Sequence, residues 1–237
     1  MSFYTEWLCE YNQKNNCNAY IVQFLNKSPS SVVPLHSGSY EELSAAYDVL
    51  NNTRLQTYFE ALLTLRLNRS LKTEEIPQYS SFEDGVSRIT ELLEFYPEGE
   101  SFVNLGYQMV NASNEAANRK YGENHSRLAE AMDLVVVSST KPRYSRNTAW
   151  GHFLVQYTIE QKAPVLKKML LREYFIQLII QRAFQGPVSY FELTSFLALS
   201  TAIRRRSNTK HITEYVLGGT AWECYLENID WKEPEEE

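Results

Sequence analysis

The sequence predicts a mainly α-helical protein with small β-elements in its middle and C-terminal parts. Apolar residues recur at spacings of three and four along most of the 237 residues. Val135-Val136-Val137 is a β-branched run and reads as a strand. Clusters of Pro, Gly, Ser and Asn interrupt the pattern and divide it into separate helices. With 43% hydrophobic and 22% charged residues, the composition is that of a folded globular protein and excludes a disordered chain.

Tyr4 to Leu25 carries Trp7, Leu8, Tyr11, Tyr20, Ile21 and Phe24 and predicts one or two short helices, ended by a loop over Ser28 to Pro34. Ser39 and Glu42 have the spacing of a capping box, so Tyr40 to Leu67 should open as a helix. Leu43, Ala46 and Leu50, then Leu55, Phe59, Leu62, Leu63 and Leu65, make it two helices on a common core. Ser81 opens a further helix with Val86, Ile89, Leu92, Leu93 and Phe95 on one stripe, closed by Pro97-Glu98-Gly99. Phe102 to Val110 is another, ending at the cluster Asn111 to Asn114. Residues 121–134 follow as a helix that buries Leu128, Ala129, Met132 and Leu134. After the Val135–Val137 strand, the polar stretch Ser138 to Arg143 turns the chain into a return strand over Tyr144 to Gly151. Beyond Pro164, Leu166, Leu170, Leu171, Phe175, Leu178, Ile179 and Ala183 predict one long helix from Val165 to Phe184, stopped by Gln185-Gly186-Pro187. Two shorter helices, Tyr190 to Leu199 and Ser207 to Leu217, flank Arg204-Arg205-Arg206. The units expected are therefore a helical N-terminal segment (1–80), a first helical unit with a hairpin (81–160), a second of similar order (161–232) and an acidic tail (233–237).

The formal net charge of −6 excludes a chain-wide basic surface. Its distribution is uneven. Residues 1–118 hold 7 basic and 15 acidic side chains, residues 119–215 hold 15 and 7, and residues 216–237 hold 1 and 7. Cys9, Cys17 and Cys224 lack any Cys-x-x-Cys spacing, so neither a disulfide framework nor a thiolate zinc site is expected, and a cytoplasmic setting fits. The N-terminus has no basic region followed by an apolar one, and no stretch approaches about eighteen apolar residues, so neither export by a signal peptide nor a membrane span is expected.

The order helix, turn, short helix, turn, polar-fronted helix and extended tail occurs twice between residues 86 and 226. Residues 121–135, followed by Lys141-Pro142-Arg143-Tyr144 and Thr148-Ala149-Trp150-Gly151, resemble the recognition helix and wing of winged helix-turn-helix domains. The likeness is to the tandem modules that form the DNA-recognition part of some restriction endonucleases. The first match spans about residues 86–155 and a second spans 166–226, with Ser189 to Leu197 as positioning helix and Ser207 to Leu217 as recognition helix. Asp133 departs from the pattern where a Gly usually ends the helix, and no second wing is evident after Gly218-Gly219. The resemblance implies tandem winged helix-turn-helix units that bind double-stranded DNA in a sequence-specific way, as a regulator or as part of a restriction or defence system.

Side-chain chemistry names the expected contacts. Asn124 suits a bidentate contact to adenine, Arg127 reaches guanine or a phosphate, and His125 suits a base edge. Arg119 and Lys120 before the helix, and Lys141, Arg143 and Arg146 on the wing, are placed for phosphates. Arg204, Arg205, Arg206, Asn208, Lys210 and His211 occupy the corresponding places in the second unit. Three arginines at a helix N-terminus would oppose the helix dipole, a repulsion that a polyanion relieves.

Other readings stay open. Asp133 at a strand start and Glu160-Gln161-Lys162 on a neighbouring strand have the spacing of a Mg²⁺-dependent restriction-type nuclease, in which the carboxylates hold the metal and the lysine stabilises charge. Winged helices also serve as protein-interaction scaffolds, which would give a homodimer or a protein partner in place of DNA. Arg119 and His125 have the Arg-x5-His spacing of small ribonucleases that pair these side chains across a helical dimer, although Gly122 between them weakens a continuous helix. No P-loop, dinucleotide-binding or His-Glu-x-x-His motif is present, and none of the four histidines lies in a nucleophile-elbow context. The DNA-binding reading requires no cofactor.

Overall fold

The computed structural model describes residues 17–27, 35–78 and 82–234, and the chain over these residues is mainly helical. The helices are α1 (Cys17–Leu25), α2 (Tyr40–Asn52), α3 (Leu55–Thr64), α4 (Phe82–Leu93), α5 (Phe102–Val110), α6 (Glu115–Ala131), α7 (Ala149–Val155), α8 (Ile159–Leu170), α9 (Tyr174–Gln185), α10 (Tyr190–Leu193) and α11 (Leu199–Leu217). Short 3₁₀ turns cover Thr73–Glu75 and Glu223–Asn228. The strands are β1 (Glu100–Ser101), β2 (Val135–Val137), β3 (Tyr144–Asn147), β4 (Val188–Ser189) and β5 (Ile229–Asp230). The expected helix before Cys17, the loop over 28–34 and the tail residues 235–237 lie outside the described residues.

A single cluster of buried apolar side chains, from Ile21 to Ile229, runs through all three expected units. Its centre is α8 and α9, whose Val165, Leu166, Met169, Leu170, Phe175, Ile176, Ile179 and Ile180 are fully enclosed. The capping box of α2 forms as its spacing predicts, with Ser39 Oγ accepting from the Glu42 amide and Glu42 accepting from the Ser39 amide.

Residues 82–147 have the order α4, β1, α5, α6, β2, β3. The sheet runs β1-β3-β2, all antiparallel, with Val135 opposite Asn147 and Ser101 opposite Tyr144. Asn111 ends α5 in the left-handed conformation (φ 47°), and Asn114 caps α6 by accepting from the Ala117 amide at 2.8 Å. Between them, the Asn118 side chain pins the turn by bonding both backbone groups of Ala112. Helix α6 therefore begins six residues earlier than the apolar pattern predicts and runs unbroken through Gly122. Glycine is required there because α5 crosses at backbone distance. A Cβ on Gly122 would lie 2.1 Å from the Phe102 carbonyl oxygen, and one on Gly106 would lie 1.8 Å from that of Asn118.

Three further expectations are corrected. The return strand ends at Asn147, because Thr148 accepts from the Gly151 amide and starts α7. The long helix expected over 165–184 is two helices, α8 and α9. Pro164 sits inside α8, and the break falls at Leu171–Glu173, where Gln177 donates to both Leu25 and Leu171 carbonyls and Arg172 turns inward. Finally, Arg204–Arg206 do not separate two helices. They lie within α11, one continuous helix, so no repulsion from a helix N-terminus arises there. No β-hairpin follows α11 among the described residues, and β5 instead pairs parallel to β4.

Candidate functional site

One face of α6 is polar for geometric reasons. Its inward positions Asn118, Gly122, His125, Ser126, Leu128 and Ala129 pack against α4 and α5, which leaves Arg119, Lys120, Glu123, Asn124, Arg127 and Glu130 outward at intervals of three and four. That face is one wall of a groove of about 1040 Å³. The groove is also lined from α11 by Arg204 and Arg205 and from the segment carrying Glu74, Ile76 and Gln78. Lys27, Glu173, Arg143 of the β2–β3 hairpin and Ala116 and Ala131 of α6 also line it.

The lining holds seven cationic and four carboxylate side chains. Three carboxylates are committed. Lys27 meets Glu173 at 2.5 Å, Arg127 meets Glu130 at 2.5 Å, and Arg143 meets Glu123 at 3.4 Å. Burial pushes the Glu173 carboxyl above its ordinary pKa, against the pull of Lys27 and Arg172. Arg119, Lys120 and Arg204 are exposed and have no carboxylate partner among the described residues. They come from two elements far apart in sequence and meet at one groove.

Of the expected DNA contacts, Arg119, Lys120, Asn124, Arg127, Arg143, Arg204 and Arg205 line this groove, whereas Lys141, Arg146, Arg206, Asn208, Lys210 and His211 do not. Lys141 and Arg146 stand exposed on the β2–β3 hairpin. His125 is a correction. It is 1% exposed, its Nδ1 lies 2.9 Å from the Tyr121 carbonyl, and its ring presses on Gly85, so it cannot reach a base edge or meet Arg119. The three consecutive arginines point three ways. Arg204 faces the groove. Arg205 is buried and donates to the Thr73 and Ile76 carbonyls and to Gln78 Oε1 at 2.9 Å. Arg206 lies over the Phe191 ring and meets Glu233 at 2.9 Å, so the first residue of the acidic tail has a partner in α11. Lys210 sits 3.8 Å from Glu214 one turn on, and His211 is exposed beside it.

The nuclease constellation is not assembled. Glu160 and Lys162 lie in α8, not on a strand. Glu160 is solvent-exposed, while the Lys162 ammonium is buried and donates to Ser87 Oγ at 3.2 Å. Asp133 is held by the buried Arg172 guanidinium and by His36 Nε2 at 3.2 Å. Burial opposes ionisation of Asp133, but the His36 hydrogen bond and Arg172 outweigh it and hold its pKa below the ordinary value. The same contact raises the pKa of His36. Asp133 stands at φ 56°, the left-handed position where the resemblance expects a Gly. No group of three or more metal-ligating side chains occurs among the described residues. No described helix is long and apolar enough to cross a membrane.

Lys27, Glu74, Gln78, Glu123, Glu130 and Glu173 line the groove without being singled out from sequence. Helical spacing from Arg119 and Arg127 could have given Glu123 and Glu130. The other four come from loops and helix ends that carry no such signal. Comparisons of the chain with family models, with curated proteins and with solved structures find no match.

Proposed function

We propose that the protein binds double-stranded DNA through a winged helix-turn-helix unit spanning residues 82–147, as a regulator or as the recognition component of a restriction or defence system. The observation that carries this reading is the outward, groove-lining face of α6, with Arg119, Lys120, Asn124 and Arg127, directly followed by a hairpin bearing Lys141, Arg143 and Arg146. Support comes from the element order α4-β1-α5-α6-β2-β3 and the sheet order β1-β3-β2, in which a closely packed helix pair is followed by an antiparallel hairpin. Asn124 is the base-reading side chain, through the bidentate geometry of an amide on adenine, and Arg127 joins it when DNA displaces Glu130. Arg119, Lys120, Lys141 and Arg146 hold phosphates and fix the register.

The test is an electrophoretic shift with duplex DNA at low salt. The wild type should shift the duplex, a variant with Arg119 and Lys120 changed to Ala should bind all sequences more weakly, and Asn124→Ala should reduce discrimination between sequences. Failure of the wild type to shift any duplex would sink the reading.

A further inference from the structure

The groove has a second basic wall that lies outside the unit held to bind DNA. Arg204 lines the groove from α11, and Arg205, held by three acceptors from residues 73–78, ties that part of α11 to a segment that also lines the groove. The α6 residues that line it run from Ala116 to Ala131, a length of about 22 Å at the helical rise. A helix lying in a major groove has a phosphate strand on either side of it, and a strand passing on the α11 side would meet Arg204.

From this geometry we infer that the groove between α6 and α11 clasps one phosphodiester strand of the bound duplex, with Arg204 as a phosphate ligand contributed from outside the α4–β3 unit. The inference rests on the DNA-binding reading above. The nature of the lining separates a duplex strand from a free single strand. Single-strand sites add aromatic platforms on which bases stack, at about 1–3 kcal/mol per base. Among the described residues this groove has no aromatic side chain in its lining, and its apolar members there are Ile76, Ala116 and Ala131. It offers charge and amides to a backbone whose bases are already stacked on each other.

The experiment compares wild type, Arg204→Ala and Lys210→Ala by fluorescence anisotropy on a random-sequence duplex of about 30 base pairs, roughly three helical turns, and on one of its single strands. Arg204 is exposed, so Arg204→Ala should leave the fold intact, as checked by its melting temperature. Loss of one phosphate contact should weaken duplex binding several-fold for every sequence and reduce the slope of log affinity against log salt by about 0.9. Lys210 lies on the same helix outside the groove and should give neither effect. Wild type should prefer the duplex to the single strand. The inference is overturned if wild type binds the duplex and Arg204→Ala leaves the salt slope unchanged, or if Lys210→Ala lowers it equally. It is also overturned if the single strand binds as tightly as the duplex. Absence of any duplex binding removes the DNA reading itself.

Discussion

Replacing Gly122 by Ala turns the crossing of α5 and α6 into a question of sign. An exposed helix glycine changed to alanine gains about 1 kcal/mol from backbone entropy and propensity. At Gly122 the new methyl would lie 2.1 Å from the Phe102 carbonyl oxygen and 3.0 Å from the Gly106 amide nitrogen, where non-bonded contacts need about 3.5 Å. Both neighbours are backbone, so no side chain can swing aside and the helices must move apart. Overpacking of this kind costs about 1–3 kcal/mol, and the absence of a flexible neighbour places it at the upper end. After the propensity gain, a net loss of about 2 kcal/mol is expected, or about 4–8 °C in melting temperature for a chain of this size. Urea denaturation followed by circular dichroism measures it through the midpoint at constant slope. A variant as stable as the parent, or more stable by up to about 1 kcal/mol, would show that α6 does not pack on α5 at this residue. The polar face would then have no fixed orientation.

Other perturbations test the remaining contacts. Lys168 is 2% exposed, its ammonium donates to the Leu50 carbonyl, and burial lowers its pKa to about 8. The unfolded chain therefore binds a proton that the native state releases between about pH 8 and 10.4, so stability should rise across that window by up to about 3 kcal/mol. Lys168→Met should flatten the rise in melts taken from pH 7 to 10, and an unaltered profile would refute the burial of this charge. Arg205→Ala should cost about 1–3 kcal/mol by stripping donors from the Thr73 and Ile76 carbonyls, whereas its neighbour Arg204→Ala should be neutral to stability; equal effects in denaturation would contradict their opposite orientations. Asp133→Ala should cost about 3–5 kcal/mol by leaving the Arg172 guanidinium, 1% exposed, without its counter-charge, and a shift below about 1 kcal/mol would rule that pairing out.

Much of the fold is legible in local patterns. The Ser39–Glu42 box, the Val135–Val137 strand and the apolar stripes of α2, α3 and α5 appear where their residues place them, because each depends on neighbours a few positions away. Gly122 misleads, since its propensity argues for a break while a partner helix argues for glycine. The division of α8 from α9 is equally hidden, because Leu170 and Leu171 keep helical spacing across it. What ends α8 is Arg172, drawn to Asp133 and the Phe24 carbonyl, both far away in sequence. At the candidate site, the sequence supplies the charge of residues 119–215 but not its direction. Arg204, Arg205 and Arg206 read alike in sequence and part company only because residues 73–78 and Glu233 hold two of them. The polar spacing that suggests His125 as a base contact in fact assigns it to the face that packs on Gly85.

The affinity of the full chain for duplex DNA, measured as a function of salt, addresses the proposed interface as a whole. Arg119 and Lys120 on α6, Lys141 and Arg146 on the β2–β3 hairpin and Arg204 on α11 are exposed and lack carboxylate partners among the described residues. Five phosphate contacts give an expected slope of log affinity against log salt of about −4.5, or a loss of about 500-fold between 50 and 200 mM salt. A slope near zero, or no binding to duplex at the lowest salt, would contradict the assignment of this surface to DNA.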